Sequence, residues 1–180
     1  MMMPILAPQQ IQQLSQLVAQ YVLAQRETWL PRAVPLSEAQ REAMAPFFSR
    51  ESLETTRLLV LDGERIANPS FYPALQAAGF GNLPDHSMAQ AIIFADCVVA
   101  HVHFTEPLLF HELVHVEQYR QLGIPRFAEL YLRGFLSGGG YDCIPLERNA
   151  YALGDRYEKD PTRAFSVAEE VASWVAQGLF

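Results

Sequence analysis

The sequence runs to 180 residues, half of them apolar, with 20 acidic against 13 basic side chains for a formal charge of −7. That composition suits a folded chain with a core of its own and excludes a disordered one. No basic patch or arginine-rich arm is present, which argues against nucleic acid as a partner, and no apolar run reaches the roughly 18 residues of a membrane span.

The start, Met1-Met2-Met3-Pro4-Ile5-Leu6-Ala7-Pro8, is apolar but has no basic n-region and soon meets glutamines, so it is a poor secretory signal. Cys97 and Cys143 stand far apart and do not resemble a disulfide framework. A reducing cytoplasm is the expected compartment, with export lacking an N-terminal signal left open.

Residues 9–29 carry Ile11, Leu14, Val18, Tyr21 and Val22 on one helical face, and the pattern ends before Pro31. After a connector, Ser37-Glu38-Ala39-Gln40 fits a capping box and predicts a second helix to about Ala45. Arg57 to Leu61 reads as a strand entering a turn at Asp62-Gly63, and Pro69 to Ala78 as a short helix stopped by Gly79. Ala91–Ala95 and Val98–Phe104 then read as two strands joined by a tight turn at Asp96-Cys97. The second strand leads into the next helix, and a strand edge near a metal site could hold an extended peptide by main-chain hydrogen bonds. His101 and His103 share one strand face, where a solvent-facing polar pair is favoured over metal ligation. No role is assigned to His86.

Leu108-Leu109-Phe110-His111-Glu112-Leu113-Val114-His115 follows. Thr105 suits the N-cap, Glu106 and Pro107 suit the first turn, and Gly123 with Pro125 should end this helix at about residue 122. His111 and His115, four apart, stand on the same face and can reach one tetrahedral ion. Leu108, His111, His115, Tyr119 and Leu122 make the stripe that should face the interior. Glu112 projects beside that site, where it could take a proton from an activated water. Two ligands do not complete a catalytic zinc site, which normally has three.

A helix over roughly 125–136 should end at Ser137-Gly138-Gly139-Gly140, whose glycines mark a flexible or closely approached loop and not a phosphate cradle. Pro145 then opens a helix in which Glu147, Ala150, Tyr151, Gly154 and Glu158 share a face. Ala150 and Gly154 are small enough for another helix to come close, which would bring Glu147 to the histidine pair as the third ligand. A first-turn glutamate often only complements the helix dipole; the H-E-x-x-H motif upstream favours ligation here. Among rival third ligands, Glu117 points away from His111, Asp142 better suits a cap of the Pro145 helix, and Asp155 lies two turns from Glu147. Tyr151 could donate to a developing oxyanion or pack in the core, and Tyr141 has a looser claim to the same place. A small buried apolar role is expected of Cys143. Ser166-x-x-Glu169 caps a last helix to about Gln177, after which Gly178-Leu179-Phe180 should dock.

The run His111-Glu112-Leu113-Val114-His115-Val116-Glu117-Gln118-Tyr119, with Gly123 and the later Pro145-Leu146-Glu147-Arg148-Asn149-Ala150-Tyr151-Ala152, resembles small bacterial zincin-like metallopeptidases of the gluzincin type. The likeness covers about residues 90–158; the first 85 or so have no counterpart in it. It implies His111, His115 and Glu147 as ligands of Zn2+ and Glu112 as catalytic base. The expected fold is α+β: one mainly helical zincin-like domain over 1–180, with a small antiparallel sheet or β-hairpin before the H-E-x-x-H helix. Within it, 1–50 would be an N-terminal helical part, 55–158 the metallopeptidase-like core and 160–180 a C-terminal helix. The expected function is a zinc-dependent hydrolase, in first place a peptidase acting on a peptide or protein substrate, with Glu112 and Tyr151 in catalytic roles. The alternatives are a catalytically inactive, zinc-stabilised interaction module of the same fold, and a metal-free helical domain carrying the motif by chance.

Overall fold

In the computed structural model, which describes residues 6–137 and 141–180, the apolar run Cys97-Val98-Val99-Ala100 forms strand β4 (Cys97–Ala100), buried along its whole length. It is sandwiched in a four-stranded sheet between β2 (Arg57–Val60) and the edge strand β3 (Ala91–Phe94), with the two-residue β1 (Val34–Pro35) beyond β2. β3 pairs antiparallel with β4, as expected of a hairpin. β2 runs parallel to β4, with Arg57 opposite Cys97 and Val60 opposite Ala100, so the sheet is mixed and not purely antiparallel. Parallel pairing needs a long crossover, and the chain from Leu61 to Asp96, including β3 itself, supplies it.

Alternation along β4 divides the core. Val98, with Leu58, faces Phe47, Phe48, Leu109, Phe110 and Leu113. Cys97 and Val99 face Val22, Trp29, Tyr119, Phe127 and Ile144 on the other side. The helices are α1 (Pro8–Trp29), α2 (Glu38–Met44), α3 (Arg50–Thr55), α4 (Tyr72–Ala77), α5 (Glu106–Leu136), α6 (Pro145–Lys159) and α7 (Val167–Gln177), all but α4 contributing buried side chains. The arrangement is α+β. Among the described residues, no helix is long and apolar enough to cross a membrane.

The caps explain several boundaries. Ser37 and Gln40 form the reciprocal box, with the Gln40 N–H donating to Ser37 Oγ at 3.2 Å and the Ser37 N–H donating to Gln40 Oε1 at 2.8 Å. Thr105 Oγ1 accepts from the Leu108 N–H at 3.3 Å, and Ser166 Oγ from the Glu169 N–H at 3.2 Å. Gly178 closes α7 in the left-handed conformation; Phe180 then docks against Trp174, while Leu179 stays exposed.

Several expectations need correction. α3, a single short piece after Ser49, gives too few turns for a periodic signal. The hairpin turn is Ala95-Asp96, since Phe94 pairs with Cys97, and Ala95 takes a positive φ of 63° there. Arg26 of α1 holds Asp96 bidentately at 2.5 and 2.9 Å, which ties the first helix to this turn. β4 ends at Ala100 and not at Phe104, so His101 and His103 do not share a strand face. His101 Nδ1–H donates to the Ala89 carbonyl at 2.7 Å and Nε2 accepts from the Ile66 N–H at 3.1 Å, fastening the crossover loop; His103 is exposed.

Gly123 does interrupt the histidine helix where expected, but not through a left-handed turn. Its φ of 73° and ψ of 160° lie in a region open almost only to glycine, and they kink α5 into two arms, Pro125 opening the second. The first arm is buried on nearly every side from Leu109 to Tyr119, and not along one stripe alone. Ser137 closes the second arm, and Gly138 to Gly140 lie outside the described residues.

Candidate metal centre

One turn of α5 separates His111 from His115, and the two rings meet nearly edge to face at 4.8 Å between centroids. Their Nε2 atoms are 3.1 Å apart. Glu147, in the first turn of α6, brings Oε2 to 3.4 Å from His111 Nε2 and 3.3 Å from His115 Nε2. Three ligands at about 2.0–2.1 Å from a tetrahedral ion stand about 3.3 Å from one another. The spacing therefore matches one face of a zinc-sized tetrahedron. Glu147 Oε2 is also buried with no hydrogen-bond partner, a costly condition for a carboxylate oxygen unless a cation meets it. Of the described residues, His111, His115 and Glu147 form the one His/Cys/Asp/Glu group converging closely enough to hold an ion.

A buried amide sets the orientation of this trio. His115 Nδ1–H donates to Gln118 Oε1 at 2.8 Å, which leaves the Nε2 lone pair aimed at the centre. The two N–H groups of the Gln118 amide donate across to α6, to the Leu146 carbonyl and to Asn149 Oδ1, each at 2.9 Å. Gln118 thus fixes a tautomer on one helix and the position of Glu147 on the other. The sequence reading missed it. A glutamine three residues after His115 was the available signal, but its partners lie 28 and 31 residues further on.

The electrostatics favour positive charge at the centre. Burial opposes ionisation of Glu147, yet His115 and His111 hold its carboxyl well below the usual range. Burial likewise opposes charge on His115, but the Glu147 and Glu112 carboxylates and the bond to Gln118 together outweigh it and lift the imidazole to about 9. Burial pushes the Glu112 carboxyl up, against the pull of His115 and His111.

Small residues bring the helices together: Ala150 is fully buried in the core it shares with α5, as expected, but Gly154 is not a point of close approach. A Cβ on Gly154 would meet nothing within 4 Å, whereas one on Gly134 would lie 2.8 Å from Pro145 Cδ and 3.1 Å from Ile144 Cγ2. Gly134, in the second arm of α5, lets the start of α6 come close. Ile144, not Asp142, occupies the N-cap of α6. Cys143 is exposed and not a small buried residue.

Glu112, 5% exposed, lies outside the converging trio but lines, with His115 and Glu147, a cavity of about 200 Å³. Tyr131 and Tyr141 line the same cavity, and both phenols are held un-ionised by burial and by the neighbouring Glu147 charge. Tyr151 is not among the cavity-lining residues; its ring is 4.7 Å from that of His111 and it is 46% exposed. No family model, curated protein or solved structure gives a match to this chain.

Proposed function

We propose that the protein is a zinc-dependent hydrolase that cleaves peptide bonds, with a zincin-like site. The observation that carries this is the tetrahedral spacing of His111, His115 and Glu147 around a point where Glu147 Oε2 has no hydrogen-bond partner. A zinc ion held there supplies Lewis acidity, polarising a carbonyl and drawing the pKa of a water towards neutrality.

The chain's own groups do the rest. Glu112, next to His111 and facing the cavity, takes the proton of the attacking water on a carboxylate oxygen and returns it to the leaving amine. Its buried position favours a carboxyl that can both accept and hold that proton. Tyr151 on the His111 side and Tyr141 on the Glu147 side each offer a hydroxyl to the developing oxyanion. A peptide substrate is supported by β3, the edge strand along the cavity, whose four residues all line it. An extended chain can add to such an edge through main-chain hydrogen bonds.

The test is Glu112→Gln. Zinc-loaded variant should keep one zinc per chain and cleave a broad peptide library at least about 10²-fold more slowly than wild type, the usual range for a lost general base. Equal rates would remove Glu112 from the mechanism. A wild-type protein that binds zinc and cleaves no member of the library would favour the inactive interaction module.

A further inference from the structure

The cavity beside the candidate centre is larger than packing defects of a core, which rarely exceed a water molecule. At about 200 Å³ it exceeds the roughly 150 Å³ of an apolar cavity that takes up benzene. Its walls come from α1, from the loop before β3, from β3 and from the second arm of α5. All of α1 and the lining residues of that loop lie outside the stretch that resembles metallopeptidases. Nine phenylalanine and tyrosine side chains line it, among them Tyr21, Phe71, Phe94, Phe127, Tyr131 and Phe135.

The polar groups in the wall away from the centre are already satisfied. His86 Nδ1 and the Tyr21 hydroxyl are 2.8 Å apart, and Tyr72 stands 3.3 Å from His86 Nε2. The Tyr21 O–H donates to the Ala67 carbonyl at 3.1 Å, so a His86 with its proton on Nδ1 completes the chain. Asp85 Oδ1 accepts from Asn68 Nδ2, from the Ser87 N–H and from Ser87 Oγ. An anionic group entering here would lose its water and meet no arginine or lysine in the lining, and a cation would find, away from the centre, only Asp85, which faces water and already accepts from Asn68 and Ser87. A flat neutral ring loses little and gains offset and edge-to-face contacts with the lining rings.

We propose that this cavity is the specificity pocket of the enzyme and takes a neutral aromatic side chain of the substrate, presenting the adjoining peptide carbonyl to the His111–His115–Glu147 group. The assignment rests on the hydrolase reading for its carbonyl and on the cavity alone for its ring. Two measurements keep these apart.

The first is calorimetric titration of indole into the zinc-loaded protein and into two cavity-filling variants. These are Val18→Trp, entered from a half-buried position on α1, and Ala128→Leu, on α5. Wild type should bind indole at one site. Each variant should keep one zinc per chain and lose at least tenfold in indole affinity, and two independent positions guard against one variant failing to fold. The second is cleavage of blocked peptides that differ at a single position. Phenylalanine or tryptophan should exceed aspartate, lysine and straight-chain norleucine at least tenfold in kcat/KM, and Val18→Trp should collapse that ratio.

Indole binding that both filled variants leave unchanged would overturn the pocket, as would cleavage with no preference for the ring. Indole binding lost in both variants, together with no cleavage of any peptide, would uphold the pocket and overturn the hydrolase reading instead.

Discussion

Gln118 decides which nitrogen of His115 faces the candidate centre, because its Oε1 takes the Nδ1 proton. Its replacement by leucine, of similar volume, removes that acceptor and both donors to α6. Loss of such an outer partner typically costs 10- to 100-fold in metal affinity. Gln118→Leu should therefore weaken zinc binding by about that factor, read by competition against a chromophoric chelator; unchanged affinity would show that the amide does not orient the imidazole. Tyr151→Phe should lower kcat tenfold or more with KM nearly unchanged if its hydroxyl meets the oxyanion. No loss there, with a loss in Tyr141→Phe, would move that task to the other side of the site. At this scale the sequence was most informative where the chemistry is local. The i, i+4 histidines and Glu112 are legible within five residues, whereas Gln118 gains its role only through groups on α6.

Two helical glycines behave differently once the helices pack. Gly134 lies against Pro145 and Ile144, and an added methyl at 2.8 Å from Pro145 Cδ forces the start of α6 away from α5. Gly134→Ala should destabilise the protein by about 1–3 kcal/mol, the usual cost of overpacking, and weaken zinc binding by displacing Glu147. Gly154, inside α6 with open space around it, should gain about 0.5–1 kcal/mol on substitution by alanine, since the helix loses only chain entropy. Urea midpoints of the two variants check both signs; a stabilised Gly134→Ala would contradict the packing account. The helix positions themselves were legible, with caps at Ser37, Thr105 and Ser166 each making the expected bond. The neighbour across each face was not. Ala150 and Gly154 marked a plausible contact face, but helical periodicity cannot say which small residue of the opposing helix closes the gap. The parallel pairing of β2 with β4 was hidden for the same reason, as it joins segments separated by a whole hairpin strand and a helix.

Across the molecule, His86 couples the crossover loop to α1 through Tyr21 and to α4 through Tyr72. Burial holds its pKa down at about 4, from an ordinary 6.5. The unfolded chain therefore takes up this proton first as pH falls. The stabilisation is complete above pH 6.5 and is lost progressively between about 6.5 and 4, by up to about 3 kcal/mol. Zinc-loaded wild type and His86→Gln, unfolded by urea at each pH from 7.5 to 4, should converge in stability over that window. Parallel curves would place the imidazole outside the linkage.

The account depends most on three side chains from two helices holding one metal ion. X-ray absorption at the zinc edge of the loaded protein measures this directly. It should show two imidazole nitrogens and one carboxylate oxygen at about 2.0–2.1 Å, with the imidazole signal reduced in His111→Ala. A sulfur neighbour at about 2.3 Å, an imidazole signal unchanged by His111→Ala, or protein that retains no zinc after gel filtration would contradict it.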